Sequence, residues 1–154
     1  MTIQIDSREK ARAIQNIIGT FDKRGVKWFV SKLPVGDYMS FDNPRLIIDR
    51  KQNLSELCGN VCQQHKRFRA ELERANEYGI KLIILCEHSK QIKCLQDVIN
   101  WQNPRLKQSP LAVSGERLYK ILSSMSVKYN VDFLFCTKAE TGKRIIELLE
   151  AGNE

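Results

Sequence analysis

At 154 residues the chain has room for one well-formed core and reads as a single domain over residues 1–154. Its 42% hydrophobic and 28% charged residues are those of an ordinary globular protein; no apolar stretch reaches membrane-spanning length and no signal-peptide pattern opens the chain, so a cytoplasmic protein without a membrane partner is expected. The net charge of +7 suits a polyanionic partner.

Ile3-Gln4-Ile5 reads as a short strand. Ala11, Ile14, Ile18 and Phe21 then recur at helical spacing, and this first helix ends near Gly25. Trp28 to Leu33 and, after the Pro34-Val35-Gly36 break, Tyr38 to Phe41 read as strands. Asn43-Pro44 is expected as a turn into a strand from Arg45 to Arg50, so that a hairpin brings Asp37 and Asp49 together. From Asn53 to Gly79 one long helix is predicted, with Leu54, Leu57, Cys58, Val61, Cys62, His65, Phe68, Leu72 and Ala75 on its apolar stripe. That stripe makes His65 a packed or boundary residue.

Lys81 to Cys86 is almost continuously apolar, as a central strand buried on both faces would be. Cys94 to Trp101 is a candidate helix and Asn103 to Pro110 an exposed loop. Ser114 to Asn130 is amphipathic, Val131 to Cys136 is a strand, and Thr137-x-x-Glu140 is a capping box for the last helix. Helices alternating with strands in this way predict a three-layer or two-layer α/β domain. Five cysteines are an odd number at apolar positions, which predicts reduced, packed thiols; Cys58 and Cys62 lack a second pair at zinc-ligand spacing.

The chemistry concentrates in Gly36-Asp37 and, twelve positions on, Asp49-Arg50-Lys51 at the end of Leu46-Ile47-Ile48. Two carboxylates at a sheet edge can hold Mg²⁺ in an oxygen shell, with a backbone carbonyl near Arg50 as a third ligand, and a neighbouring lysine stabilises charge on an attacked phosphodiester. Strand alternation sets Asp49 and Lys51 on one face and Arg50 on the other, where it bridges to a helix or holds a phosphate. The plain alternatives are a turn aspartate at Asp37 and a strand-end ion pair between Asp49 and Lys51. Asp6 either caps the first helix through Asp6-x-x-Glu9 or adds an outer carboxylate to the metal.

These motifs resemble the XPF family of structure-specific DNA endonucleases, whose signature is Gly-Asp, then Glu-Arg-Lys, three residues and Asp. Asp49 stands for the Glu and Ser55 for the last Asp. Ile5-Asp6-Ser7-Arg8-Glu9 resembles that family's opening Asp-x-Arg-Glu, and Arg67-Phe68 its Arg-hydrophobic element; Asp37 with Asp49-x-Lys51 also resembles the broader PD-(D/E)XK pattern. The resemblance implies an α/β fold with a central mixed sheet flanked by helices, of restriction-endonuclease-like type. It implies a Mg²⁺- or Mn²⁺-dependent endonuclease acting on duplex or branched DNA in repair, replication or recombination, with Asp37 and Asp49 on the metal and Lys51, Arg50 and Asp6 completing the catalytic set. A chain this short has no room for the tandem helix-hairpin-helix domain of such nucleases and suits a compact bacterial or phage member. With Ser55 in the acid's place, Glu71 is a candidate replacement; an i,i+4 pair with Arg67 is the favoured role for it.

Lys66, Arg67 and Arg69 are positioned to reach a DNA backbone. Residues 101–130 carry Arg105, Lys107, Arg117, Lys120 and Lys128 against one acid, Glu116, and Trp101 either stacks on an unpaired base or fills the edge of the core. No base-reading motif accompanies these cations, so recognition is expected to follow DNA shape. Leu118, Ile121, Leu122, Met125, Ile145, Ile146, Leu148 and Leu149 offer apolar surface for a homodimer of the kind the resemblance implies. The rivals are a Holliday junction resolvase of the same broad class and a catalytically silent DNA-binding or dimerisation module.

Overall fold

The computed structural model describes residues 1–152, and these build a six-stranded mixed sheet in the order β2-β1-β3-β4-β5-β6. The strands are β1 (Thr2–Ile5), β2 (Lys27–Val30), β3 (Tyr38–Ser40), β4 (Asn43–Lys51), β5 (Lys81–Glu87) and β6 (Asp132–Cys136). β3 runs antiparallel to both β1 and β4, while β2 joins β1 and β5 and β6 join β4 in parallel. The flanking helices are α1 (Gln15–Lys23), α2 (Leu54–Cys62), α3 (His65–Glu77), α4 (Gly115–Tyr129) and α5 (Thr141–Gly152). This is the helix-flanked mixed sheet that the family resemblance implies, within the α/β class that the strand and helix pattern predicts.

Each face of the sheet has its own core. α1 and α5 cover Ile3, Ile5, Ile48, Ile83 and Leu85; α2, α3 and α4 cover Ile47, Leu82, Ile84 and Cys86. β5 lies between β4 and β6 and alternates between these two cores, which is why its sequence carries no polar face. The same alternation continues beyond Ile48 into Asp49, Arg50 and Lys51, all buried, so β4 delivers charged groups to both faces at its C-terminal end. None of the described helices is long and apolar enough to cross a membrane.

Several elements differ from the sequence expectation. The helix predicted over Asn53–Gly79 is broken between α2 and α3. The N–H groups of Gln63 and Gln64 both donate to the carbonyl of Gly59, and Gln64 leaves helical geometry at φ −112°, ψ 32°. The break turns His65 out to solvent instead of onto the apolar stripe, and Phe68, Leu72 and Ala75 re-enter the core from a new angle. The turn before β4 falls at Phe41-Asp42, with Asn43 and Pro44 inside the strand. The first helix opens as a 3₁₀ turn over Ala11–Ile14 whose cap position is Lys10, so Asp6 does not cap it. Cys94 is exposed where a packed thiol was expected, whereas Cys58, Cys86 and Cys136 are buried and all five thiols are free.

Candidate active site

The hairpin of β3 and β4 brings the two aspartates together. Gly36 adopts φ +66°, a left-handed conformation that favours glycine, and lets the chain turn back so that Asp37 N donates to Ile48 O at 2.8 Å. The carbonyl of Asp37 accepts from Asp6 N at 2.8 Å, and its carboxylate accepts from the backbone N–H of Arg50, also at 2.8 Å. Asp37 is thereby pinned between β1 and β4 with its carboxyl against that of Asp49. Burial and the neighbouring charge of Asp49 raise the Asp37 pKa well above the usual carboxylate range.

Lys51 reaches Asp49 Oδ2 at 3.0 Å and lies over the Phe68 ring, 5.5 Å from its centroid. Burial works against its charge, but Asp49, Glu71 and Asp37 hold its pKa above the ordinary value. Asp49 is 5% exposed, and its Oδ2, despite the ion pair, accepts no well-formed hydrogen bond. Asn60 Oδ1 is the other buried side-chain oxygen among the described residues without a hydrogen-bond partner, and Asn60 lines the same cleft as Lys51, Gln64, Arg67, Phe68 and Glu71. The cleft is lined by one carboxylate, Glu71, the ammonium of Lys51 and the unpartnered amide oxygen of Asn60, a set that suits a polar substrate, and Asp49 with its own unsatisfied oxygen lies next to it through Lys51.

Glu71 joins this cluster. Its Oε1 accepts from Gly36 N at 3.3 Å, and burial together with Asp49 raises its pKa against the opposing effect of Lys51. Among the described residues Arg67 makes no ion pair with Glu71, so the i,i+4 role favoured from sequence gives way to the carboxylate that faces the site. Ser55, in the place of the absent acid, is exposed on the first turn of α2.

Asp6 and Arg50 support the site from outside the cleft. Burial of the Asp6 carboxylate is outweighed by hydrogen bonds from Arg8 Nε (2.6 Å), Arg8 N (3.1 Å) and Leu33 N (2.8 Å), which lower its pKa. Those bonds commit it to the loop before β3, and its link to the site is the backbone bond to Asp37. Arg50 lies on the far face, 7% exposed, between Glu9 (Nε to Oε2, 2.8 Å) and Glu87 (Nη1 to Oε1, 2.5 Å). It bridges elements there and offers no exposed guanidinium for a DNA phosphate. Tyr38 donates to Glu9 at 2.7 Å and Thr141 to Glu87 at 2.8 Å, so β3, β4, β5 and α5 share one buried network. Glu9, expected in a capping box with Asp6, holds Arg50 and Tyr38 instead, and the sequence assigned no site role to Glu87, Tyr38 or Thr141.

Of the proposed DNA contacts, Lys66, Arg67 and Arg69 are exposed on α3, where Arg69 is 3.8 Å from Glu73, and Arg105 and Lys107 are exposed on a 3₁₀ turn over Pro104–Lys107. Trp101 is 7% exposed and packs into the core with Val98 and Leu118, so it is not free to stack on a base.

The pattern of the ERCC4 domain family matches residues 5–149. None of the curated proteins matches the chain. Among solved structures the chain is similar to XPF from Aeropyrum pernix, at 16% identity and a TM-score of 0.69 over 100% of this chain and 66% of that one. It is also similar to XPF from Aeropyrum pernix in complex with DNA, at 17% identity and a TM-score of 0.68 over 98% of this chain and 64% of that one. The chain thus spans about two thirds of the length of the structures whose fold it shares.

Proposed function

The chain belongs to the ERCC4 domain family, and from that premise we propose that it is a metal-dependent DNA endonuclease hydrolysing phosphodiester bonds in duplex or branched DNA. The observation that carries this reading is the pairing of Asp37 with Asp49, whose Oδ2 is buried without a hydrogen bond, beside the ammonium of Lys51. Two carboxylates pressed together repel, and a cation relieves that repulsion. Asp37 and Asp49 would hold Mg²⁺ or Mn²⁺. Mg²⁺ keeps water and phosphate oxygens in its shell, so two protein carboxylates would suffice to seat it. Bound there, the ion would supply Lewis acidity and charge neutralisation at the scissile phosphate.

The chain's own residues set the geometry. Lys51, held by Asp49 and Phe68, presents its ammonium to the phosphate oxygen on which negative charge accumulates. Glu71 on the cleft wall orients the water that attacks, in place of the acid that Ser55 replaces. Lys66 and Arg67 on α3, with the exposed Arg105 and Lys107 of the 3₁₀ turn, hold the backbone of the duplex. The exposed Ser55 favours a silent DNA-binding module; the position of Glu71 answers it.

Labelled linear duplex, flap, fork and four-way junction DNA incubated with Mg²⁺, Mn²⁺ or EDTA tests the proposal. Cutting in the presence of either cation, absent in EDTA and lost in Asp49→Asn, is expected. Mn²⁺ titrated calorimetrically into the wild type should give a saturable heat that Asp49→Asn lacks. A folded protein that binds no Mn²⁺ and cuts none of these DNAs refutes the nuclease reading.

A further inference from the structure

The far face of β4 carries a second charged cavity. It measures about 480 Å³ and opens at the C-terminal ends of β4 and β5, with Arg50 and Glu87 as its floor and Lys10, Arg12 and Lys138 on its rim. The cleft that holds Lys51 and Glu71 lies on the other side of the same strand end, and Gln52 and Asn53 pass between the two.

The charge balance of this cavity favours an anion. Its acids are already engaged: Glu87 bonds Arg50 and Thr141, Glu9 bonds Arg50 and Tyr38, and Glu140 at the edge caps Thr137. Glu56, one turn into α2, accepts from Gln52 N. The three rim cations are exposed and, among the described residues, none takes part in an ion pair. Three cations converging without partners raise the local potential, and the C-terminal ends of parallel strands are where α/β folds commonly take ligands. The α2 N-terminus, capped by Asn53, adds its positive end to the same wall.

We propose that this cavity takes a backbone phosphate of a second DNA strand, so that the end of β4 stands between two diverging strands of a branched substrate. One strand lies over Asp37, Asp49 and Lys51, and its partner passes behind, against Lys10, Arg12 and Lys138. The inference deepens the nuclease reading and rests on it: it supplies a basis for preferring forks and flaps within the domain itself. The buried Arg50 network serves as a rigid floor and need not release its glutamates for the phosphate to bind.

The test compares wild type with the triple variant Lys10→Ala/Arg12→Ala/Lys138→Ala by fluorescence anisotropy in EDTA, on a fork with splayed arms and on linear duplex of equal length. Wild type should prefer the fork. In the variant the fork preference should disappear, and the slope of log affinity against log salt for the fork should fall by about 1, the share of one neutralised phosphate, with the duplex slope unchanged. Equal losses on both DNAs would make these residues a general electrostatic surface and overturn the proposal, as would no change on either. Inorganic phosphate added at matched ionic strength should leave the preference in place; its loss would assign the cavity to free phosphate. A wild type that cuts duplex but shows no fork preference overturns this inference and leaves the nuclease standing, whereas one that binds and cuts nothing removes both.

Discussion

Gly36→Ala is the substitution for which the structure gives the most definite cost. Gly36 sits at φ +66°, where an L side chain is strained by about 1–2 kcal/mol. An added Cβ would also stand 2.5 Å from Ile47 Cγ2 and 3.2 Å from the carbonyl oxygen of Ile48. Ile47 is fully buried and the second contact is backbone, so neither neighbour yields freely, and overpacking adds about 1–3 kcal/mol. The expected destabilisation is about 2–5 kcal/mol, a large part of a typical domain's stability. Gly25→Ala and Gly79→Ala are internal controls: φ is +70° and +69°, yet nothing lies within 4 Å of the added Cβ, so each should show the backbone part alone. Urea unfolding of the three variants separates the two contributions. Because Asp37 hangs from the same turn, Gly36→Ala should also lose DNA cutting at temperatures where it remains folded. A Gly36→Ala no less stable than the two controls would refute the close approach deduced here.

Arg50→Leu leaves Glu9 and Glu87 buried without their cation and should cost about 3–5 kcal/mol in urea unfolding, whereas a loss below about 1 kcal/mol would show that the network does not depend on Arg50. Burial lowers the pKa of His88 below its ordinary 6.5, and its Nδ1 accepts from Leu54 N at 3.3 Å, so its contribution is complete above pH 6.5 and is lost as pH falls through the depressed folded value. Wild type should therefore lose more stability than His88→Phe between pH 7.5 and pH 5.5 (roughly the span over which an ordinary histidine titrates); parallel losses would count against the contact. Leu118, Leu122, Ile145, Ile146 and Leu149, expected as dimer surface, are already buried in the core, so a two-fold dimer is expected to bury only Ile121, Met125, Leu148 and the 88%-exposed Val127, and sedimentation at micromolar concentration that finds only a 17.8 kDa monomer rejects it.

The parts of the fold that sequence made legible depend on local alternation. Period two along Leu46 to Lys51 predicted which charges share a face, and it held because β4 is hydrogen-bonded on both sides and cannot slip without exposing Ile47 or Ile48. The continuous apolar run of β5 marked its central place for the same reason. What remained hidden depends on how elements cross. The apolar stripe runs unbroken through Gln63-Gln64 because α2 and α3 both pack on one core, so periodicity carries no sign of the break. Glu71 reaches Gly36 only because α3 crosses the hairpin, and no spacing within α3 reports that. Trp101, set between polar neighbours in a segment rich in turn residues, gave no sign that Val98 and Leu118 enclose it.

The Arg50 network shows why one strand end can serve two faces. Asp37 and Asp49 weaken the metal-free fold by their repulsion, and a hairpin held only by the short β3 would relieve it by drawing apart. It is restrained through Arg50, whose backbone N–H holds the Asp37 carboxylate while its side chain is fixed on the far face by Glu9 and Glu87. A single residue thus ties the carboxylate pair to β5 and, through Thr141, to α5. The buried ion pairs need not add net stability to have this effect, since burying them is costly and a well-packed apolar replacement of the whole set can be as stable. Their contribution is positional: they set where Asp37 stands relative to Asp49, so the geometry on which the proposed nuclease would draw is already formed in the chain by itself.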